Sequence, residues 1–263
     1  MGKYLLIVKN TIQENLVYRF STFAVFVGET LVFVFFFYLW TSIYSSGQQI
    51  GSYSLKGIIS YYLVLNFIFL TTKNNNTAWI AGEEIRRGEL TNVMLKPISY
   101  LGYLLSHAIG RLLYCLAIYS LVYFFLLIAL RNYIDLPNNI ATILLFTALA
   151  ILGFFINFFV AYLVGIMAFW LGQIIGLNFA VMSLVTFFEG GLMPLDLLPN
   201  FVTRINDFLP FKYVVFVPIS VFTGRIGFSW ELFLIPLGWV LFLLFLVKII
   251  YRKGLKKYEG YGA

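Results

Sequence analysis

The sequence predicts an all-α, polytopic membrane protein. Three observations carry that prediction. Hydrophobic residues make up 61% of the 263 and charged residues 11%, with a mean hydropathy of +0.91, whereas a soluble domain carries about 25% charge. Apolar runs near the length needed to cross about 30 Å of hydrocarbon recur along the chain. Short polar segments separate them, and none is long enough for a large soluble domain. The expectation is a single transmembrane domain over residues 1–263 with six crossings.

Residues 3–19 read as an amphipathic helix in the plane of the interface. Leu5, Val8, Ile12 and Leu16 recur at helical spacing, with Lys9, Gln13 and Glu14 elsewhere on the helix. The same polar residues interrupt any cleavable signal. The first span is expected over residues 20–41. It holds Glu29, which at about 1.5 Å per residue falls near the middle of the bilayer. An acid there marks a translocation pathway or a structural ion pair, for instance with Arg111. The second span is expected over residues 57–72, followed by Lys73 and three asparagines. Asn75-Asn76-Thr77 matches a glycosylation sequon, a weak signal at this length.

Residues 79–99 form the one long polar island, with Glu83, Glu84, Arg86, Arg87, Gly88, Glu89 and Lys96. Its charges suit docking to a soluble partner. They equally suit a solvated helix with internal pairs such as Glu83 with Arg87. Spans three and four are expected over residues 100–130 and 140–171, both long enough to tilt. A fifth is expected over 174–188 and a sixth over 231–249. Between these two, Glu189, Gly190, Gly191, Pro194 and Pro199 break the helix. The apolar decamer 213–222 is too short to cross, so residues 189–222 are expected to be re-entrant or interfacial. Glu189 is a candidate for the outer gate or an acid at the water boundary.

Orientation follows from Lys and Arg. With both termini inside, twelve fall on the inner face, Lys73 among them, and five on the outer: Lys56, Arg131, Arg204, Lys212 and Arg225. Arg111 lies within a span. This bias places the island in the cytoplasm and accounts for the net charge of +7 without nucleic acid. A lone cysteine, Cys115, leaves no internal disulfide.

The chemistry points away from an enzyme. One histidine, His107, cannot supply a paired-histidine zinc motif. Glu83-Glu84-Ile85-Arg86-Arg87 misses the EExxxR spacing of CAAX-type membrane proteases, because residue 88 is glycine. Gly227-Phe228-Ser229-Trp230 misses the rhomboid GxSG. No GxxxxGK[ST] loop is present, so an ATP-driven version of this protein needs its ATPase on a separate chain.

Four places resemble the permeases of ABC-2-type transporters. Residues 3–19 resemble the elbow helix of that family. The stretch IAGEEIRRGEL at 80–90, followed by LKPIS at 95–99, resembles its cytoplasmic coupling region. EGGLMPL at 189–195 with Leu198-Pro199 resembles its extracellular hairpin, and LPF at 209–211 with Pro218 and Gly224 matches the spacing that follows. The resemblance implies a bacterial exporter subunit in the inner membrane, paired with an identical or sibling permease and two cytosolic ATPases. ATP and Mg²⁺ would belong to those partners, with no cofactor in this chain. Residues 83–90, including Leu90, would carry the coupling, and a lipophilic or amphipathic substrate would be exported. Two other readings stay open: a proton-coupled transporter using Glu29 and Glu189, and an intramembrane enzyme or scaffold.

Overall fold

The protein is described by a computed structural model covering residues 2–47, 50–73, 76–137 and 139–258. Asn75 of the sequon lies outside the described residues. No strand forms among them; they make twelve α-helices and two 3₁₀ turns. In chain order the helices are α1 (Gly2–Val17), α2 (Arg19–Ser45), α3 (Leu55–Thr72), α4 (Asn76–Arg86), α5 (Leu90–Met94) and α6 (Tyr100–Ala129). Then come α7 (Ile140–Ile166), α8 (Ala168–Leu171), α9 (Ile175–Phe188), α10 (Asn200–Asp207), α11 (Phe216–Phe222) and α12 (Glu231–Leu255).

Local chemistry sets many of these boundaries. Ser54, Ser99 and Asn139 accept the backbone N–H three residues on, capping α3, α6 and α7. Gly172, at φ +68°, ends α8 in a backbone conformation closed to most side chains and turns the chain into α9.

Five stretches are long and apolar enough to cross a membrane: α2, α3 with α4, α6, α7 with α8, and α12. The second crossing is broken after Thr72 rather than ending there, so Lys73 lies within it and not in an inner loop. The inner set of cations therefore loses one of its twelve members. The expected fifth span is α9, whose 14 residues reach only about 21 Å. Beyond it, α10 and the stretch to the end of α11 meet at 86°, the bend of a broken span or a re-entrant loop.

α7 lies at the centre, packed against α3, α4, α9, α11 and α12. Two of its glycines allow that. A Cβ on Gly165 would lie 2.7 Å from Ala81 Cβ and 2.9 Å from the Ala78 carbonyl of α4. A Cβ on Gly153 would lie 3.0 Å from Val214 Cα. Small residues at such crossings let helices approach where lipid gives no hydrophobic drive.

α1 runs alongside the start of α6, in the same direction. Tyr4 bonds Ser99, and Thr11 Oγ1 lies 3.0 Å from His107 Nδ1. The packed face is Tyr4, Ile7, Val8, Thr11, Ile12 and Asn15. Of the apolar residues at helical spacing, Val8 and Ile12 pack inward, while Leu5 and Leu16 point outward with Leu6 and Val17. The inward face is mixed, and Gly102 and Gly110 of α6 leave room in it for Tyr4 and Thr11.

The start of α1, the end of α12, the α4–α5 corner and the start of α6 share one end of the bundle, the terminal end, as Tyr4 bonds Ser99, Tyr251 stacks on Tyr100 and Tyr258 bonds Thr91. The far end is tied by polar groups. The Tyr53 hydroxyl donates to Asp196 (2.9 Å), and Arg225 bonds Asp196 (3.0 Å) and Ser52 (2.8 Å) while stacking on the Tyr53 ring. Burial, then the Asp196 carboxylate, push the Tyr53 phenol well above its usual range, so it stays a donor.

Candidate functional site

The polar island folds as a helical corner. α4 ends where Gly88, at φ +77°, turns the chain, and α5 begins two residues later. Glu83 is held on its own helix, by Arg86 at 2.7 Å and Arg87 at 2.8 Å. This is the internal pairing that the spacing allowed. Glu84 turns inward instead, accepting the hydroxyls of Tyr100 and Tyr103 at 2.8 Å each. It welds the end of α4 to the start of α6. Leu90 and Val93 are buried beneath α5. Arg86, Arg87, Glu89, Lys96, Met94 and Leu95 face outward, with Leu95 80% exposed. The corner is thus a basic rim around an apolar knob on a rigid base.

At the other end of α4, about 16 Å away for its 11 residues, the chain breaks at Lys73. Lys73 Nζ lies 2.9 Å from Glu189 Oε1, donates to Thr186 Oγ1 at 2.6 Å and sits 4.0 Å over the Phe69 ring. Glu189 is fully buried. The expectation of an acid at an outer water boundary is corrected: its carboxylate lies inside the bundle, at the tip of the short α9. Sequence reasoning missed Lys73 by assigning it to a loop. The available signal was a lone cation and a lone acid, each at a helix break inside an apolar chain.

The hairpin is pinned where it leaves α9. The Tyr61 hydroxyl donates to the Gly190 carbonyl at 2.7 Å, and that of Tyr62 to the Leu192 carbonyl at 2.9 Å. Gly190 has φ +87°, and a Cβ there would lie 2.5 Å from the Tyr61 hydroxyl. Gly191 is equally confined, its Cβ position 2.8 Å from Phe69 and Thr186. Pro194 is buried before a 3₁₀ turn, and exposed Pro199 opens α10. Asn206 of α10 donates back to the Phe188 carbonyl at 2.8 Å.

Glu29 lines a cavity of about 310 Å³ with Lys73, Arg111, Ser21, Asn76 and Tyr119. It forms no ion pair with Arg111 among the described residues. Its backbone carbonyl accepts from Asn66 at 2.8 Å, and Asn66 also takes the Tyr123 hydroxyl. That asparagine fastens α2, α3 and α6 together in the core.

Residues 30–262 match the family model of the ABC-2 family transporter protein. The chain belongs to the ABC-2 transporter family. The match begins inside α2 and takes in the α4–α5 corner, the Lys73–Glu189 pair and the hairpin; α1 and Glu29 precede it. No curated protein matches the chain. As an ABC-2 protein it is a membrane transport component, and the family works with ATP-binding subunits.

Proposed function

We propose that this protein is the permease subunit of an ABC exporter, moved by a separate cytosolic ATPase that carries the ATP and Mg²⁺. In this reading both termini and the α4–α5 corner face the cytoplasm of the inner membrane. A second permease chain, identical or a sibling, completes the assembly, and a lipophilic or amphipathic substrate leaves the cell. One observation carries the reading: α4 joins an exposed corner directly to a buried ionic hook on the hairpin. Arg86, Arg87, Glu89 and Leu95 are exposed toward a partner, while Glu83, paired with both arginines, and Glu84, Gly88 and Leu90 hold the corner's shape. A push on the corner moves α4 against α7 through the close Gly165 crossing. Lys73 then drags Glu189, and with it Gly190, Gly191 and the turn at Pro194 and Pro199. ATP binding and hydrolysis would set that corner in two positions, opening the hairpin in one of them.

The test is purification under mild detergent followed by ATPase assay in vesicles. An ATPase should copurify. Arg87→Glu should uncouple substrate-stimulated hydrolysis without loss of the fold. A chain that transports alone, with no nucleotide-hydrolysing companion, would overturn the reading. A proton-coupled alternative draws on Glu29, which lines this cavity and forms no ion pair among the described residues; transport driven by a pH gradient alone and lost in Glu29→Gln would favour it. Glu189 suits that alternative less well, since Lys73 engages it directly.

A further inference from the structure

The cavity beside Glu29 is continuous in its lining with a second one of about 240 Å³. The two share Asn15, Tyr18, Ser21, Asn76 and Arg111. Together they make an elongated polar groove where α1 bends into α2, closed behind by α4 and α6. Arg111 lies at the centre of that groove. It is half-buried, and no carboxylate pairs with it among the described residues. Lys73, the other cation on the wall, is already neutralised by Glu189. An acid stands towards each end: Glu14 borders the smaller cavity and Glu29 the larger.

We infer that this groove binds a zwitterionic headgroup, its phosphate or carboxylate on Arg111 and its ammonium turned toward one of the two acids. The inference rests on the proposed transport of an amphipath and names its polar end. A half-buried guanidinium without a counter-ion favours an anionic oxygen, and its planar fork suits two of them. The acids at both ends disfavour a ligand with net negative charge, which separates a zwitterion from a purely anionic headgroup. The size lies at the lower end of that for small-molecule sites, right for a headgroup rather than a whole lipid. The apolar remainder has an exit: Tyr18 and Val25 on the rim are exposed, and Phe20, Phe23, Leu16 and Val17 lie exposed around the same bend.

The experiment uses the purified full chain in maltoside detergent. The probes are a short-chain phosphatidylcholine, the phosphatidylglycerol of equal chain length, and soluble glycerophosphocholine. Binding is read by calorimetry and the fold by thermal melting. Saturable binding of phosphatidylcholine, at least tenfold tighter than phosphatidylglycerol, is expected. Arg111→Gln should weaken it at least tenfold, and Glu14→Gln with Glu29→Gln should narrow the discrimination. Ser21→Phe, at an exposed position on the rim, should block binding with Arg111 intact, which keeps the test open if Arg111→Gln does not fold. Tight, Arg111-dependent binding of glycerophosphocholine would also support the site and assign it to a soluble zwitterion. Equal binding of both lipids, or binding indifferent to Arg111 and Ser21, would overturn it. A chain that copurifies its ATPase yet shows such indifference loses this inference alone and keeps the transporter reading.

Discussion

Among the ion pairs of the described residues, Lys73–Glu189 is the one with a fully buried member. Removing one member of a buried pair leaves a charge without compensation and costs about 3–5 kcal/mol, whereas replacing both with apolar groups is close to neutral. Lys73→Met and Glu189→Met alone should each lower stability by about that amount. The double variant should recover most of the loss, and equilibrium unfolding of all three in detergent checks the cycle. If the double variant stays folded but uncouples ATPase activity from transport, the pair's role is to transmit motion rather than to stabilise. Gly190 sets a second residue-scale limit. Alanine there meets both a positive φ and the Tyr61 hydroxyl, so Gly190→Ala should cost more than the ~1–2 kcal/mol of backbone strain alone. Gly224, also at positive φ (+71°) but with open space around it, should lose only that smaller amount when changed to alanine; a melting comparison separates the two.

At the scale of elements, α1 tests how this family member holds its first helix. Its inward face is mixed, and what fits it to α6 is space at Gly102 and Gly110. A side chain on Gly110 would meet Thr11 at 2.8 Å and the Val8 carbonyl at 2.9 Å. Gly110→Leu should therefore push α1 away from α6. A Tyr4→Cys/Ser99→Cys pair, too far apart for a direct disulfide once the tyrosine ring is gone, should be bridged by a short bis-maleimide in the parent, where the two side chains now bond, and not in that variant. The helical spacing of Leu5, Val8, Ile12 and Leu16 revealed the helix but not its rotation, because Gly102 and Gly110, far along the chain, decide which face turns in. α9 gives the same lesson in reverse. Its apolar run read as a span, yet Glu189 stops it at about 21 Å. What fixes that depth is Lys73, at a helix break 116 residues before Glu189. Long apolar helices and their caps were legible because they are local. Pairings between elements were not, since one sequence carries no record of which breaks face each other.

For the whole molecule, composition alone gave the class, and the helical corner emerged at residues 79–99 as the charges indicated. The geometry of the corner was not legible in sequence for a physical reason: spacing allows Glu83 its pairs with Arg86 and Arg87, but that Glu84 turns inward depends on Tyr100 and Tyr103 of another helix. The two-ended arrangement yields a topological prediction. With Cys115 replaced by alanine, single cysteines at Lys96 and Lys257 should react with a membrane-impermeant maleimide only after the cells are opened. Cysteines at Ser46 and Arg204 should react in intact cells. The reverse pattern would place the corner outside and remove any cytosolic partner from it.

The shortness of α9 bears on how the chain enters the bilayer during synthesis. Fourteen residues are fewer than the translocation machinery needs to recognise an independent span, and a lone carboxylate in mid-membrane carries a penalty of about 2.5–3.5 kcal/mol on insertion scales. Residues 175–230 are therefore poor candidates to be released into lipid by themselves. They become admissible once the second crossing is already in place and offers its ammonium group, which makes the order of synthesis, Lys73 well before Glu189, a condition for assembling this part of the protein.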